Sequence, residues 1–294
     1  MKKILVVTGG AGFIGSNLIS QLLNFKKFNI ISIDNYSTGS IKNHIKNNRV
    51  KYLSGSTREI ETLLKNYTGK INTIFHFGEF ARIYQSFKKI DECFCSNIEG
   101  TTKVFNYALR NKIRIIYSAT SASLGNNGKD MNLSPYAFSK AKSLELLENL
   151  KRWFDLKYEI IYFYNVYGDR QICKGPMATV VGIFQDHFKR GKKLPVVRPG
   201  TQARRFTHVL DTTKACIFAW KKNKCKHYSV ANKKSYSIIE LAKLFKSKIR
   251  YLPKRAGERF SSALTNMNLN NSIIRLPASI KLKDYISNFL INKS

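Results

Sequence analysis

Short apolar segments alternate with longer, helix-like segments along the first half of the chain. Residues 3–8 form a β-branched apolar run, and residues 16–25 carry apolar positions at helical spacing. The same reading predicts further strands at 30–33, 50–53, 73–77, 114–118 and 158–162, and further helices at 97–110 and 135–154. Strands that alternate with helices predict an α/β fold built on a doubly wound parallel sheet.

The regular alternation of predicted strands and helices ends after about residue 166. Gly and Pro become more frequent, as in Gly175-Pro176 and Pro199-Gly200, and the elements become shorter. We therefore predict a first domain over residues 1–165 and a smaller C-terminal α/β lobe over residues 166–294. The boundary is soft, because no Gly/Ser-rich linker separates the two parts and some of the chain is expected to cross back.

Composition is typical of a globular chain with a strong positive charge. Hydrophobic residues make up 43% of the 294 residues, enough for a substantial core. The 51 Lys and Arg against 18 Asp and Glu give a net charge of +33. Because Lys is scattered along the whole length, we predict a solvated surface and no specific nucleic-acid partner. No apolar run reaches the roughly 18–20 residues that cross a bilayer, and the N-terminal apolar run is too short for a signal peptide. We expect a cytoplasmic protein with no membrane span, five free cysteines and no metal site.

A glycine motif lies between the first predicted strand and the first predicted helix. Gly9 permits a tight turn, Gly12 lets the backbone approach a pyrophosphate, and Gly15 lets the helix pack closely on the strand. Asp34 ends the second strand, where a carboxylate accepts hydrogen bonds from an adenosine ribose and repels a 2′-phosphate. The spacing predicts a Rossmann-type dinucleotide site and favours NAD over NADP.

A tyrosine and a lysine lie in the first turns of the long helix predicted at 135–154. Tyr136 and Lys140 are four residues apart, so they share a helix face. A free tyrosine has a pKa of about 10, and a neighbouring ammonium together with the positive nicotinamide ring is expected to lower that pKa. Tyr136 can then take a proton from a sugar hydroxyl while hydride leaves for the nicotinamide. Thr120 lies just beyond the fifth predicted strand.

Together these residues resemble the extended short-chain dehydrogenase/reductase family, in particular its nucleotide-sugar epimerases and dehydratases. The resemblance covers nearly the whole chain and rests on segments 8–16, 34–39, 97–101, 134–140, 165–168, 204–211 and 255–258. It implies Tyr136 as general base, Lys140 as its partner and nicotinamide-ribose anchor, and Thr120 as the hydroxyl that bonds the reacting sugar oxygen. It also implies a homodimer formed through a four-helix interface.

The resemblance further implies two ligand sites. It implies that the first domain binds NAD, with Val166 just beyond its boundary, through Gly9, Gly12, Phe13, Ile14, Gly15, Asp34, Asn35, Ser37, Thr38, Gly39, Phe77, Gly78, Asn97, Ser118, Tyr136, Lys140, Tyr164 and Val166. It implies a nucleotide-diphosphate sugar as substrate and the second lobe as the nucleotide-sugar-binding lobe, with Thr120, Tyr136 and Asn165 of the first domain and Arg204, Arg255 and Glu258 of the second lobe as the binding residues. Arg suits this task because its planar fork binds phosphate oxygens in pairs.

Departures from the family pattern narrow the reaction. Ser121 and Ala122 follow Thr120, where the 4,6-dehydratases carry Asp-Glu and the decarboxylating relatives carry a Glu. The remaining chemistry acts at one carbon, so we predict an NAD-dependent nucleotide-sugar 4-epimerase. Two alternatives stay open. One is a nucleotide-sugar C4 dehydrogenase, or a dehydratase-like relative, that releases a 4-keto sugar. The other is a catalytically silent NAD-binding regulatory or RNA-binding protein.

An acid at position 79 is a further departure. Phe77-Gly78-Glu79 replaces the small residues that usually follow the fourth strand, which puts Glu79 near the expected cofactor. An ion pair with Arg82, three residues on, is the simplest interpretation of Glu79.

Overall fold

The computed structural model describes residues 2–121, 131–254 and 273–292. Its strands are β1 (Lys3–Thr8), β2 (Phe28–Asp34), β3 (Val50–Ser54), β4 (Ile71–His76), β5 (Arg114–Thr120), β6 (Tyr158–Phe163), β7 (Val166–Tyr167), β8 (Leu194–Val197), β9 (Ala203–Arg205), β10 (Thr207–His208), β11 (His227–Ala231), β12 (Ser235–Ser237), β13 (Ile249–Leu252) and β14 (Ile273–Pro277). Its α-helices are α1 (Phe13–Leu22), α2 (Ile60–Leu64), α3 (Ile83–Ser86), α4 (Ile90–Phe94), α5 (Thr101–Arg110), α6 (Pro135–Phe154), α7 (Val180–Lys189), α8 (Val209–Lys222), α9 (Ile238–Leu244) and α10 (Leu282–Ile291).

The main sheet has eight strands in the order β14-β11-β6-β5-β4-β1-β2-β3. Every neighbouring pair is parallel. The chain order reverses between β1 and β4, and a crevice opens at such a switch point outside the carboxyl ends of the strands. The predicted fold class, a doubly wound parallel sheet, is confirmed.

The inner strands of the sheet are buried on both faces, as is typical of a parallel sheet. Ile4 and Val6 of β1 pack into one apolar cluster, whereas Leu5 and Val7 pack into a second cluster. Successive side chains of a strand point to opposite faces, so a continuous apolar run supplies both cores. This is why the strands read as uninterrupted apolar segments in the sequence.

Helix α6 begins and ends where the sequence predicts. Ser134 Oγ accepts a hydrogen bond from the backbone N–H of Ala137 at 3.0 Å, and Pro135 occupies the first helical position. The helix ends at Phe154, and its C-cap residue Asp155 has a left-handed backbone with φ of 56°. These local signals place Tyr136 in the first turn and Lys140 one turn later.

Two helices begin differently in the structure from what the sequence predicts. Helix α1 begins at Phe13, three residues before the predicted start, because the extended backbone of Gly12 already serves as the N-cap. The segment predicted as a helix from residue 97 enters α5 through a π-helical turn over Cys95–Gly100. Such turns change the direction of the side chains that they carry.

The segment predicted as the second lobe forms an apolar cluster of its own and also adds strands to the main sheet. A third apolar cluster includes Phe184 of α7, Leu241 of α9 and Ile286 of α10. Strands β11 and β14, however, join the main sheet beside β6. The division at residue 165 stays a prediction. Among the described residues, no helix is both long and apolar enough to span a membrane.

Candidate active site

A cavity of about 1480 Å³ lies at the carboxyl ends of β1, β2, β4, β5 and β6. Its walls include Gly9 after β1, Asp34 of β2, Phe77 after β4, Thr120 of β5 and Phe163 of β6. Pockets for one drug-sized ligand span about 300–1,000 Å³, so this cavity has room for a dinucleotide and a second ligand side by side.

Most of the predicted site residues line this cavity. They are Gly9, Gly12, Phe13, Ile14, Gly15, Asp34, Asn35, Ser37, Thr38, Phe77, Gly78, Ser118, Thr120, Tyr136, Lys140, Asn165, Val166 and Arg204. The predicted substrate residues Arg255 and Glu258 lie outside the described residues. The roles of all these residues stay predictions.

Three predicted cofactor residues do not line the cavity, and each has a structural contact instead. The Asn97 side chain accepts a hydrogen bond from Phe80 N at 2.7 Å and donates one to Phe80 O at 3.0 Å, which fixes the segment after β4. The Tyr164 hydroxyl lies 3.3 Å from Ser229 Oγ. Gly39 packs on Asp34, since a Cβ at position 39 would lie 2.6 Å from Asp34 Oδ1.

The glycine turn has the geometry of a phosphate cradle. Gly9 has φ of +70°, which a residue with a side chain rarely adopts. A Cβ on Gly15 would lie 2.2 Å from Gly9 O, so only glycine allows α1 to approach the turn this closely. The first backbone N–H groups of α1 therefore face the cavity at the positive end of the helix dipole.

Asp34 is held by backbone donors at the end of β2. Its Oδ2 accepts from Ala11 N at 2.9 Å and its Oδ1 accepts from Tyr36 N at 2.8 Å. Burial raises the pKa of the Asp34 carboxyl, and the hydrogen bonds from Tyr36, Ala11 and Gly12 oppose that rise. The carboxylate thus ties the glycine turn to β2 and lies on the wall where an adenosine ribose would fit.

We expect Asp34→Ala to weaken NAD binding by about 10–100-fold and NADP binding much less. Hydrogen bonds to a charged partner contribute about 1.5–3 kcal/mol each, and the carboxylate repels a 2′-phosphate. Calorimetric titration of both cofactors measures the effect. Asp155→Ala, at an exposed carboxylate after α6, serves as the control. Equal affinities of the unmodified protein for NAD and NADP would contradict the role of Asp34.

Tyr136 and Thr120 form a hydrogen-bonded pair in the cavity. The backbone N–H of Tyr136 also donates to Ser86 Oγ at 3.2 Å, which joins α6 to α3. Burial raises the pKa of the Tyr136 phenol above its ordinary value, the Thr120 hydrogen bond lowers it, and Glu79 raises it further. The net shift of this pKa within the described residues is therefore upward, and its lowering by Lys140 together with the nicotinamide ring stays a prediction.

Lys140 is paired with Glu79 rather than left facing Tyr136 alone. The Lys140 ammonium donates to Glu79 Oε2 and to the backbone oxygen of Ser118, and only 4% of each side chain of the ion pair is exposed. The predicted ion pair between Glu79 and Arg82 is wrong. Arg82 instead donates from Nε to Met177 O at 2.8 Å and from Nη1 to Ala81 O at 2.7 Å.

A buried hydrogen-bonded chain fixes Glu79 in this place. Thr101 Oγ1 donates to Glu79 Oε1 at 3.1 Å, and Thr101 Oγ1 lies 2.9 Å from His76 Nε2. Because the threonine gives its single hydrogen to Glu79, Nε2 carries the imidazole proton and Nδ1 accepts from Thr8 Oγ1 at 2.8 Å. Burial lowers the pKa of His76 to about 4, so the ring is neutral. The Tyr117 hydroxyl completes the set by donating to Glu79 Oε1 at 3.1 Å.

Comparison with known proteins identifies the family. The model of the family described as "NAD dependent epimerase/dehydratase family" matches residues 5–231. The chain belongs to this family. A UDP-N-acetyl-alpha-D-glucosaminuronate decarboxylase of Bacillus cytotoxicus is 30% identical over 237 residues, which cover 74% of this chain and 71% of the relative. An ADP-L-glycero-D-manno-heptose-6-epimerase of Brachyspira hyodysenteriae is 29% identical over 260 residues, which cover 83% of this chain and 80% of the relative.

One similar solved structure covers the whole length of the chain. It is a UDP-N-acetylglucosamine 4-epimerase from Methanobrevibacter ruminantium M1 in complex with UDP-N-acetylmuramic acid. It is 26% identical, covers 100% of both chains and superposes with a TM-score of 0.81. This member of the NAD dependent epimerase/dehydratase family is therefore an NAD-dependent enzyme, and the predicted cofactor is confirmed at the level of the family.

Proposed function

We propose that this family member is an NAD-dependent nucleotide-sugar 4-epimerase in which Tyr136 is the base. The observation that carries the proposal is the hydrogen-bonded pair of Tyr136 and Thr120, which shares one cavity with the glycine turn and Asp34. A protein that only binds NAD has no use for a buried phenol and hydroxyl beside the cofactor site. The similarity to a UDP-N-acetylglucosamine 4-epimerase supports reaction at C4, and the similarity to a heptose-6-epimerase supports epimerisation of a sugar nucleotide more generally.

The residues present fit NAD. The cradle around Gly9 and Gly15, which a Cβ would fill, takes the pyrophosphate, and Asp34 takes the adenosine ribose. Lys140 has three hydrogens to donate, and within the described residues two go to Glu79 and Ser118 O, so the third is available to the nicotinamide ribose. Bound NAD supplies the site with a hydride acceptor that returns the hydride in the second half of the reaction.

The side chains of this site move one proton in each half-reaction. The Tyr136 phenolate takes the proton of the C4 hydroxyl as the C4–H bond breaks with its electron pair, and a ketone forms at C4. When the sugar is bound, Thr120 turns its single hydroxyl hydrogen from Tyr136 to this sugar oxygen. After the 4-keto sugar rotates in the cavity, the Tyr136 hydroxyl would give the proton back to the sugar oxygen while C4 would accept hydride from bound NAD on its opposite face, so atoms and charge balance over the cycle.

The substrate side of the cavity provides groups for a nucleotide diphosphate. Asn165 and Arg204 line it, and Asn165 Nδ2 donates to Arg205 O at 3.0 Å. Cations are needed where two phosphates are bound in a cavity. Epimerisation is favoured over decarboxylation because the residue after Thr120 is the buried Ser121 rather than an acid.

The test is anaerobic incubation of the enzyme and NAD with a panel of UDP- and dTDP-sugars, followed by mass spectrometry and NMR. We expect an isomer of unchanged mass, inverted at C4, with no net accumulation of NADH. A product lighter by two hydrogens, formed together with one NADH per sugar, would show that the enzyme is a C4 dehydrogenase and not an epimerase. No conversion of any sugar nucleotide would favour the silent binder.

A further inference from the structure

The lysine beside the proposed base Tyr136 forms a buried ion pair with a carboxylate. The Lys140 ammonium lies against the Glu79 carboxylate inside the protein, and the Tyr117 ring lies 4.1 Å from Lys140 Nζ. A buried cation in contact with an anion presents a dipole, rather than a full charge, to a third group. The positive field of Lys140 at Tyr136 is therefore largely cancelled by Glu79.

A second cation lies at the same wall of the cavity. Arg82 is the N-cap residue of α3, and Ser86 of the same helix accepts the backbone N–H of Tyr136. Arg82 and Tyr136 both line the cavity. The hydrogen bonds of Arg82 within the described residues go to the backbone oxygens of Met177 and Ala81, so they hold the guanidinium in place without neutralising it.

We propose that Arg82 supplies the positive charge that stabilises the Tyr136 phenolate, in the place of the Lys140 charge that Glu79 cancels. Arg82 is then a positioning residue that acts through Tyr136. The inference rests on the proposed function of Tyr136 and adds to it a residue outside the family motifs. Electrostatics are consistent with this: burial raises the pKa of Tyr136 and lowers the pKa of Arg82, and the attraction between the two groups opposes both shifts.

The groups that surround the phenol come from four packed elements and include both signs of charge. They are Lys140 on α6, Glu79 and Arg82 between β4 and α3, Cys93 on α4, and Tyr117 and Thr120 on β5. Burial and Glu79 favour the neutral phenol, whereas Arg82 and the Thr120 hydrogen bond favour the phenolate. Removing Arg82 thus removes the positive charge that favours the Tyr136 phenolate.

The experiment is a titration of Tyr136 in the NAD complex by tyrosinate absorbance. Because the chain has 15 tyrosines, each variant is measured against the same variant with Tyr136→Phe. The variants are Arg82→Gln, which keeps an N–H donor for Met177 O, Arg82→Lys, which keeps the charge, and the double variant Glu79→Gln/Lys140→Met. Arg58→Gln, at a cavity residue that follows β3, is the matched control. Circular dichroism and thermal melting check that each variant is folded.

We expect Arg82→Gln to raise the midpoint of the Tyr136 titration by about one pH unit or more, as loss of an opposite charge does. Arg82→Lys retains most of the effect, and the double variant shifts the midpoint less than Arg82→Gln. An unchanged midpoint in Arg82→Gln, or a larger upward shift in the double variant, would overturn the proposal. Sugar turnover by the unmodified enzyme is measured separately, so a failure of the epimerase assignment is not confused with a failure of this one.

Discussion

Tyr136→Phe is expected to lower the turnover of a sugar nucleotide by about 10³-fold or more while NAD still binds. Proton transfer by a positioned side chain contributes about 10²–10⁴-fold, and phenylalanine fills the same space without a group that can take the proton. Initial rates with the substrate found in the panel measure the loss. Tyr251→Phe, at a tyrosine with 47% of its surface exposed, is the matched control. A Tyr136→Phe enzyme with full activity would remove the phenol from the mechanism.

The pH dependence follows from the same assignment. The active form is the phenolate, so kcat/KM should rise with pH until the pKa of Tyr136 in the enzyme is passed. Because burial and Glu79 hold that pKa above its ordinary value, the rise is expected to extend into the alkaline range. An activity that is flat from neutral to alkaline pH would show that the proton goes elsewhere.

Local signals explain why much of the fold could be predicted from the sequence. The Ser134-Pro135 cap fixes the start of α6, and continuous apolar runs mark strands that are buried on both faces. The glycine turn and Asp34 are specified within a single strand-helix-strand unit. By contrast, β11 and β14 join the main sheet through pairings that are distant in sequence, and no local pattern indicates them.

The error over Glu79 has a specific physical cause. Residues three apart face each other only on a helix. Here Arg82 has an extended backbone, with φ of −141° and ψ of 119°, and helix α3 begins one residue later. The two side chains therefore diverge, and Glu79 meets Lys140, which is 61 positions away in the chain. A contact of that kind depends on the strand order, which becomes known only with the fold.

Glu79→Gln is expected to destabilise the protein by about 3 kcal/mol at neutral pH. Removing one partner of a buried ion pair typically costs about 3–5 kcal/mol, because the other charge stays buried without compensation. Urea denaturation measures the change. The same substitution at Glu145, whose ion pair with Lys142 on α6 is more than half exposed, should cost less than about 1 kcal/mol. The double variant Glu79→Gln/Lys140→Met should recover most of the loss, since no charge remains buried.

The pH dependence of this loss of stability shows whether the unpaired Lys140 charge or altered packing causes it. Burial lowers the pKa of Lys140 and Glu79 raises it, so Glu79→Gln moves this pKa further down. The unfolded chain keeps the lysine proton up to about pH 10.4, whereas the folded variant releases it earlier, so the stability of the variant rises with pH in that window. The deficit relative to the unmodified protein should therefore shrink between neutral pH and about pH 10. A deficit that stays constant over this range would mean that packing, and not the unpaired Lys140 charge, causes the loss.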